Sequence, residues 1–314
     1  MCAIFGLIDY EHRLTTRAKE KILKVLSKEC EVRGTDATGF AYNHNGHISI
    51  YKRPLPARKM HLHLPDEVYA VMGHTRMATQ GSEKLNYNNH PFPGRAGNKN
   101  FALAHNGVLS NDKLLRKEKS LPESYIQTDS YIAVQLLESA GSLDFNSIKD
   151  MAEDLIGSFV FTILDDSDNV YLVRGNNPLC IYKFHTHGFY MYASTKEILD
   201  RTLRRIGLSK APKTEIKTTL GNILRIDANG NIERSEFYSY SDFARFYTFP
   251  RRTLHDDVHI EQLKEFAGCF GVDSCYVDLL YENGFTADEI EELLYEPEEL
   301  MNYADVLEYE GLYF

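Results

Sequence analysis

Short runs rich in β-branched and aromatic residues alternate with stretches of helical period over the first three quarters of the chain. Ala3 to Ile8 reads as a strand that begins almost at the terminus. Thr16 to Glu31 places Ile22, Val25, Leu26 and Cys30 on one helical face. Gly39 to Tyr42 and His47 to Tyr51 bracket Asn45-Gly46, a hairpin signal, because the tight turn needs a left-handed backbone that Asn and Gly adopt at low cost. Glu67 to Met72 and Phe101 to Ala104 are further strands, each running into a polar motif. Thr128 to Glu138 and Ser147 to Ile156 read as helices. A second run of strands follows at Ser158 to Leu164, Val170 to Val173, Leu179 to Phe184 and Phe189 to Tyr192, and a helix at Lys196 to Ile206. Ile223 to Ile226 and Ile232 to Phe237 flank Asn229-Gly230, another hairpin signal. Hairpins mixed with helices favour antiparallel sheets covered by helices over a parallel doubly wound sheet.

After Tyr238 the pattern changes. Tyr240 to Arg252 is aromatic and basic and reads as a linker. Ile260 to Phe270, Asp273 to Glu282, Thr286 to Tyr295 and Pro297 to Leu307 read as short helices, the third opened by a capping-box pattern at Thr286 and Glu289. Charge marks the same boundary. From Thr253 to Phe314 there are 17 acidic residues against one basic residue, Lys264, a net −16, while the preceding residues hold 34 basic and 28 acidic residues, a net +6. The domains expected are therefore residues 2–237, a linker at 238–252 and an acidic helical module at 253–314.

Composition narrows the class. With 43% hydrophobic and 25% charged residues the 314-residue chain is that of an ordinary folded protein. No stretch approaches the ~20 apolar residues of a membrane span. The net charge of −10 disfavours general nucleic-acid binding. Five cysteines, at 2, 30, 180, 269 and 275, form no zinc-like pair and point to reduced thiols in the cytoplasm. His61 and His63 have no Cys or carboxylate spaced to complete a metal site. No metal, cofactor, nucleic-acid or membrane partner is expected.

Candidate chemistry begins at Cys2. With Met1 removed, its thiol and a free α-amine share one residue, and an amine with a pKa near ~8 can take the thiol's proton. If Met1 stays attached, that base is lost. Four segments change the weight of this otherwise weak signal: Arg33-Gly34-Thr35-Asp36-Ala37-Thr38-Gly39, Gly73-His74-Thr75-Arg76-Met77-Ala78-Thr79-Gln80-Gly81, His105-Asn106-Gly107 with Asn111 beyond, and Gln127-Thr128-Asp129. With Asn89-His90-Pro91-Phe92 and Gly157-Ser158-Phe159, then Arg174 and Pro178-Leu179, they stand in the order of the class II glutamine amidotransferases, and the chain resembles that family over residues 2 to 237. The closest likeness is to the glutaminase domain of the glucosamine-6-phosphate synthase type.

The resemblance implies a four-layer αββα Ntn-hydrolase sandwich, an α+β fold, with Cys2 as nucleophile at the start of a central strand. It implies an oxyanion hole from the Asn106 side chain and the Gly107 backbone N–H. Free L-glutamine has an α-carboxylate for Arg76, with Thr79 and Gln80 assisting, and an α-ammonium for Asp129. Arg33, which the family places near the N-terminal residue, and His74 and His90 are expected as supporting residues. Met77 departs from the pattern, since relatives often carry an aromatic residue there. Sugar-isomerase phosphate loops and a pyrophosphatase-type loop are absent from the sequence. The ammonia acceptor is therefore expected on a separate synthase, docked through the acidic module. Two other functions fit the same residues: an amidohydrolase for another amide, and a catalytically silent module that senses glutamine.

Overall fold

Every residue of strand β1 (Ala3–Ile8) is buried, so the strand is covered on both faces. Alternation sorts its side chains. Ala3, Phe5 and Leu7 join a core with Leu23 and Leu26 of helix α1 (Thr16–Glu29) and Leu199 of helix α5 (Lys196–Ile206). Ile4 and Ile8 face the other way, into a core shared with Ala102, Ala104 and Val160 of a second sheet. That second sheet buries its far face under helices α3 (Tyr131–Ala140) and α4 (Phe145–Asp154), with Ile132, Leu137, Ile148 and Met151 in the third core. Three apolar layers between four layers of structure make the αββα sandwich.

The structure, a computed structural model, describes residues 2–238, 254–283 and 285–295 and, singly, 297, 300, 301 and 304. The first sheet has seven strands in the order β11 (Thr214–Glu215), β9 (Cys180–Phe184), β10 (Phe189–Ala193), β1, β4 (Ala70–Arg76), β2 (Ala37–His44) and β3 (His47–Arg53). The second has six, β13 (Ile232–Glu236), β12 (Asn222–Ile226), β8 (Val170–Arg174), β7 (Gly157–Asp165), β6 (Lys99–Leu109) and β5 (Phe92–Ala96). All pairings are antiparallel.

Several boundaries differ from the sequence expectation. Strand β4 starts at Ala70 and continues through Gly73-His74-Thr75-Arg76, and β6 continues through His105-Asn106-Gly107. The polar motifs therefore lie inside strands, not after them. Strand β5 and helix α2 (Asp112–Glu118) were not expected; β5 contains Pro93 and Gly94 and survives as an edge strand, where the missing proline N–H costs no ladder bond. Helix α1 buries Leu23 where Val25 was expected, and α3 begins at Tyr131, three residues after Thr128.

Contacts divide the chain into Met1–Ser239 and Tyr240–Phe314. In the second unit lie helices α6 (Leu254–Ala267), α7 (Ser274–Glu282) and α8 (Ala287–Leu294), with Ile260, Leu263, Leu280 and Ile290 buried. The capping box at α8 is formed: Glu289 N donates to Thr286 Oγ1 at 3.3 Å, and Thr286 N donates to Glu289 Oε2 at 2.8 Å. The expected linker at Tyr240 to Arg252 lies outside the described residues, as does most of the helix expected from Pro297. Among the described residues no helix is long and apolar enough to cross a membrane.

Candidate functional site

Cys2 extends the inward parity of Ile4 and Ile8, and Asn106 extends that of Ala102 and Ala104 on β6. A bond ties the end of β6 to β4, the strand beside β1. His74, opposite Ile4 in the register of β1 and β4, places Nε2 2.9 Å from the carbonyl oxygen of His105. A carbonyl only accepts, so His74 donates there.

Cys2 is held from two sides. Arg33, buried after α1, donates from Nε to the Cys2 carbonyl at 3.0 Å. The Cys2 thiol donates to the Met77 carbonyl at 3.5 Å. Burial pushes the Cys2 thiol up, so it rests protonated; Arg76 opposes that shift and Asp129 adds to it, which places both charges within electrostatic reach of the sulfur. The segment after Arg33 also shapes the next loop: Asp36 N donates to Arg76 O at 2.9 Å, and Asp36 Oδ2 accepts from Ala78 N at 2.8 Å.

Arg76 ends β4 only 3% exposed. It donates from Nη1 to Asn89 Oδ1 at 2.8 Å and from Nη2 to the carbonyls of Gln80 and Gly81 at 2.5 and 2.8 Å. Of five guanidinium N–H groups these bonds take three, leaving one on Nε and one on Nη1. Gln80 thus meets Arg76 through its backbone, while Thr79 is exposed on the same loop and is not drawn into this network.

Asp129 is buried just before α3. Its Oδ2 accepts from Leu109 N at 2.6 Å, and its Oδ1 lies 3.3 Å from Ser130 Oγ. Burial raises its carboxyl to about 6 in spite of these donors. His105 bridges the same corner, with Nδ1 2.8 Å from Ser130 Oγ and Nε2 3.3 Å from Ser158 O. Burial holds both His74 and His105 at about 3 and His90 well below its usual value, so all three imidazoles are neutral near pH 7.

Asn106 is completely buried, yet among the described residues neither its Nδ2 nor its Oδ1 has a hydrogen-bond partner. Its backbone is fixed by Asn177 Nδ2, which donates to Asn106 O at 2.9 Å. Gly107 follows with φ +142°, and a Cβ there would lie 1.9 Å from Ser158 O. Only glycine fits. His90 packs on His74 with ring centroids 4.3 Å apart and planes tilted by 35°, and among the described residues it also lacks hydrogen-bond partners for both nitrogens. Asn111 is a brace, its amide bonded to Asp154 O and Ile156 N. The sequence assigned no role to Lys52, Ser130 or His105; of these, only His105 stands inside one of the motifs.

Residues 74–201 match a family model described as glutamine amidotransferase domain. The glutamine–fructose-6-phosphate aminotransferase [isomerizing] of Staphylococcus aureus (strain Mu50) is 31% identical over 245 residues, 73% of this chain and 39% of that protein. The protein of that name from Bacillus thuringiensis subsp. konkukian is 32% identical over 190 residues, 58% of this chain and 30% of that protein. The chain carries a class II glutamine amidotransferase domain. Solved structures agree on the fold. The glutamine phosphoribosylpyrophosphate amidotransferase from B. subtilis, complexed with ADP and GMP, superposes with a TM-score of 0.59 at 19% identity, over 85% of this chain and 58% of that one. The structure described as the allosteric regulatory enzyme of purine biosynthesis gives 0.59 at 19% identity, over 90% and 58%. The amidotransferase domain thus accounts for well under half the length of its Staphylococcus relative. Its motif residues Arg33, His74, Arg76, His105, Asn106 and Asp129 are all buried in this fold.

Proposed function

We propose that the chain is a glutamine-hydrolysing amidotransferase that releases ammonia from L-glutamine through a Cys2 thioester. The observation that supports this reading most is Asn106, a fully buried amide without a hydrogen-bond partner among the described residues, on the strand end that His74 and His105 bond to β4, the strand paired with the one that Cys2 extends. A buried amide left without partners costs roughly 1–3 kcal/mol, an arrangement that makes sense where a ligand supplies the missing bonds.

With Met1 removed, the Cys2 α-amine takes the thiol proton, and the thiolate forms a C–S bond to the glutamine side-chain carbonyl. The C=O pair moves onto oxygen. Asn106 Nδ2 and Gly107 N donate to that oxyanion. On collapse the C–N bond breaks, the proton passes from the amine to the leaving nitrogen, and ammonia departs. Water then cleaves the thioester to glutamate and restores the thiol. The two remaining N–H groups of Arg76 take the substrate carboxylate, with the Thr79 hydroxyl and the Gln80 backbone assisting, and Asp129 takes the ammonium. Arg33 fixes Cys2 through its carbonyl, and His74 and His90 support the strand ends.

In this reading residues 2–237 are the catalytic domain, 238–252 a linker and 253–314 a module that docks a separate ammonia-using synthase. The mature chain starts at Cys2, and five cysteines without a zinc-like spacing suit a reducing cytoplasm. Intact mass of the native chain, labelling by a glutamine-analogue electrophile and glutamine turnover test the proposal together. Label on Cys2 alone, no turnover after Cys2→Ala, and a kcat loss of about 10²–10³ after Asn106→Ala are expected. Labelling at Cys30 or Cys180, or an Asn106→Ala effect confined to KM, would contradict it.

A further inference from the structure

Gly39 of β2 pairs with Lys52 of β3 on one side and with His74 of β4 on the other. These three positions share one face of the sheet. Gly39 has no side chain, and a Cβ there would lie 2.1 Å from His90 O and 2.8 Å from Pro91 Cδ. The bare position therefore seats the Asn89-His90-Pro91 segment between Lys52 and His74. From one side Lys52 Nζ donates to Asn89 O and, at 3.0 Å, to Pro91 O, and it lies 5.0 Å from the centre of the Phe92 ring. Asn86 Nδ2 donates to Lys52 O at 3.0 Å, tying the segment back to β3. From the other side the His74 ring packs on His90. The segment so held carries Asn89, whose Oδ1 accepts from Arg76 and whose Nδ2 donates to Glu83 O at 2.7 Å.

We infer that Lys52 is a positioning residue for glutamine: its ammonium fixes the Asn89 carbonyl, Asn89 fixes Arg76, and Arg76 holds the loop whose Met77 carbonyl meets the Cys2 thiol. The inference rests on the proposed pairing of Arg76 with the ligand carboxylate, and Lys52 acts through Arg76, not on the reacting atoms. One ammonium serving two carbonyls makes charge-assisted bonds, stronger than those of a neutral amine. The charged groups facing it are few. Arg76 repels it, His74 and His90 are neutral, and among the described residues no carboxylate pairs with it. Burial, then Arg76, lowers the Lys52 pKa to about 8. Its charge is thus lost just above neutral pH, and glutamine affinity should fall there.

The test is steady-state kinetics from pH 7 to 9 on the full chain, with glutamine binding to the Cys2→Ala variant measured by calorimetry. Lys52→Met should raise KM at pH 7 on the order of tenfold and leave kcat within about threefold. Lys52→Arg, which stays charged, should recover most of that affinity. It should also remove the part of the alkaline rise in KM that exceeds the titration of glutamine's own ammonium, which is common to every variant. Unchanged KM in Lys52→Met, an equal loss of kcat, or an alkaline rise in Lys52→Arg identical to that of the unmodified enzyme would overturn the inference. If Lys52→Met does not fold, the Lys52→Arg profile decides alone. Glutamine binding that ignores Lys52 sinks only this inference, whereas no glutamine binding at all sinks the proposed function with it.

Discussion

Asp129 supplies the charge that the proposed ammonium contact needs, and its burial opposes that charge. Its carboxyl titrates at about 6, raised by burial against the bonds from Leu109 and Ser130. The sign follows directly. The unliganded protein keeps the proton below that value, and the ligand's ammonium requires it gone, so affinity is lost as pH falls through 6. A group titrating at 6 is ionised in roughly ten of eleven molecules at pH 7 and roughly one of eleven at pH 5. The apparent Kd for glutamine should therefore double, approximately, between pH 7.5 and 6 and reach about tenfold by pH 5. Between pH 5 and 7 other groups at the site stay out of the way, since His74 and His105 titrate at about 3 and Lys52 at about 8. Calorimetry on Cys2→Ala from pH 5 to 8 measures the curve without turnover, and Asp129→Asn should bind weakly with that limb gone. A flat Kd across the window, or an acid limb that persists in Asp129→Asn, would refute the reasoning.

The histidines make acid stability a second readout. Burial holds His74 and His105 at about 3 and His90 well below its usual value, so their stabilising contribution is full above about 6.5 and is lost as pH falls through it. Asp129 and Asp168, both raised to about 6, oppose this between 6 and 4, and the histidines outweigh them, so stability falls from pH 7 to 5. Equal urea midpoints at pH 7 and 5 would contradict the balance. Deleting residues 253–314 should leave glutamine hydrolysis within about twofold and reduce salt-sensitive co-purification of a partner; equal partner recovery with and without the segment at every salt concentration would exclude docking through it.

Most of the sandwich was legible because its inner strands are continuous apolar runs, buried on both faces. Strands β1, β7, β8, β9 and β10 and helix α5 lie within a residue or two of where apolar spacing puts them. The errors share a cause. Glu67 was given to a strand because it adjoins a hydrophobic run, but it takes a positive φ in the turn before β4. Thr128 and Asp129 were given to a helix because they precede one. Asp129 instead spends its carboxylate before the helix, where it satisfies the Leu109 N–H across the site. Lys52 carried no signal at all, since a lysine on an amphipathic hairpin reads as solvent-facing. Its role depends on the missing side chain of Gly39 and on a segment 37 residues further along the chain.

The same apolar runs explain why the site was legible only through motifs. Strands β4 and β6 do not stop where their apolar residues stop; they run on with His74, Arg76, His105 and Asn106 at buried positions. A propensity argument ends a strand there, because polar groups in a dry layer cost free energy unless they are paired. Three of the four are paired by their surroundings: His74 to the opposite sheet, His105 to Ser130 and Ser158, and Arg76 to three oxygens. Those bonds repay the burial and make the strand ends rigid. Asn106 is the exception, buried on the same rigid frame with its amide left open. If the frame needed that position only for packing, an apolar residue of similar size would remove the cost without loss. An open amide held still by hydrogen-bonded neighbours is what differential binding of a developing oxyanion demands, because its bonds are made when charge appears and the frame has little reorganisation left to undergo.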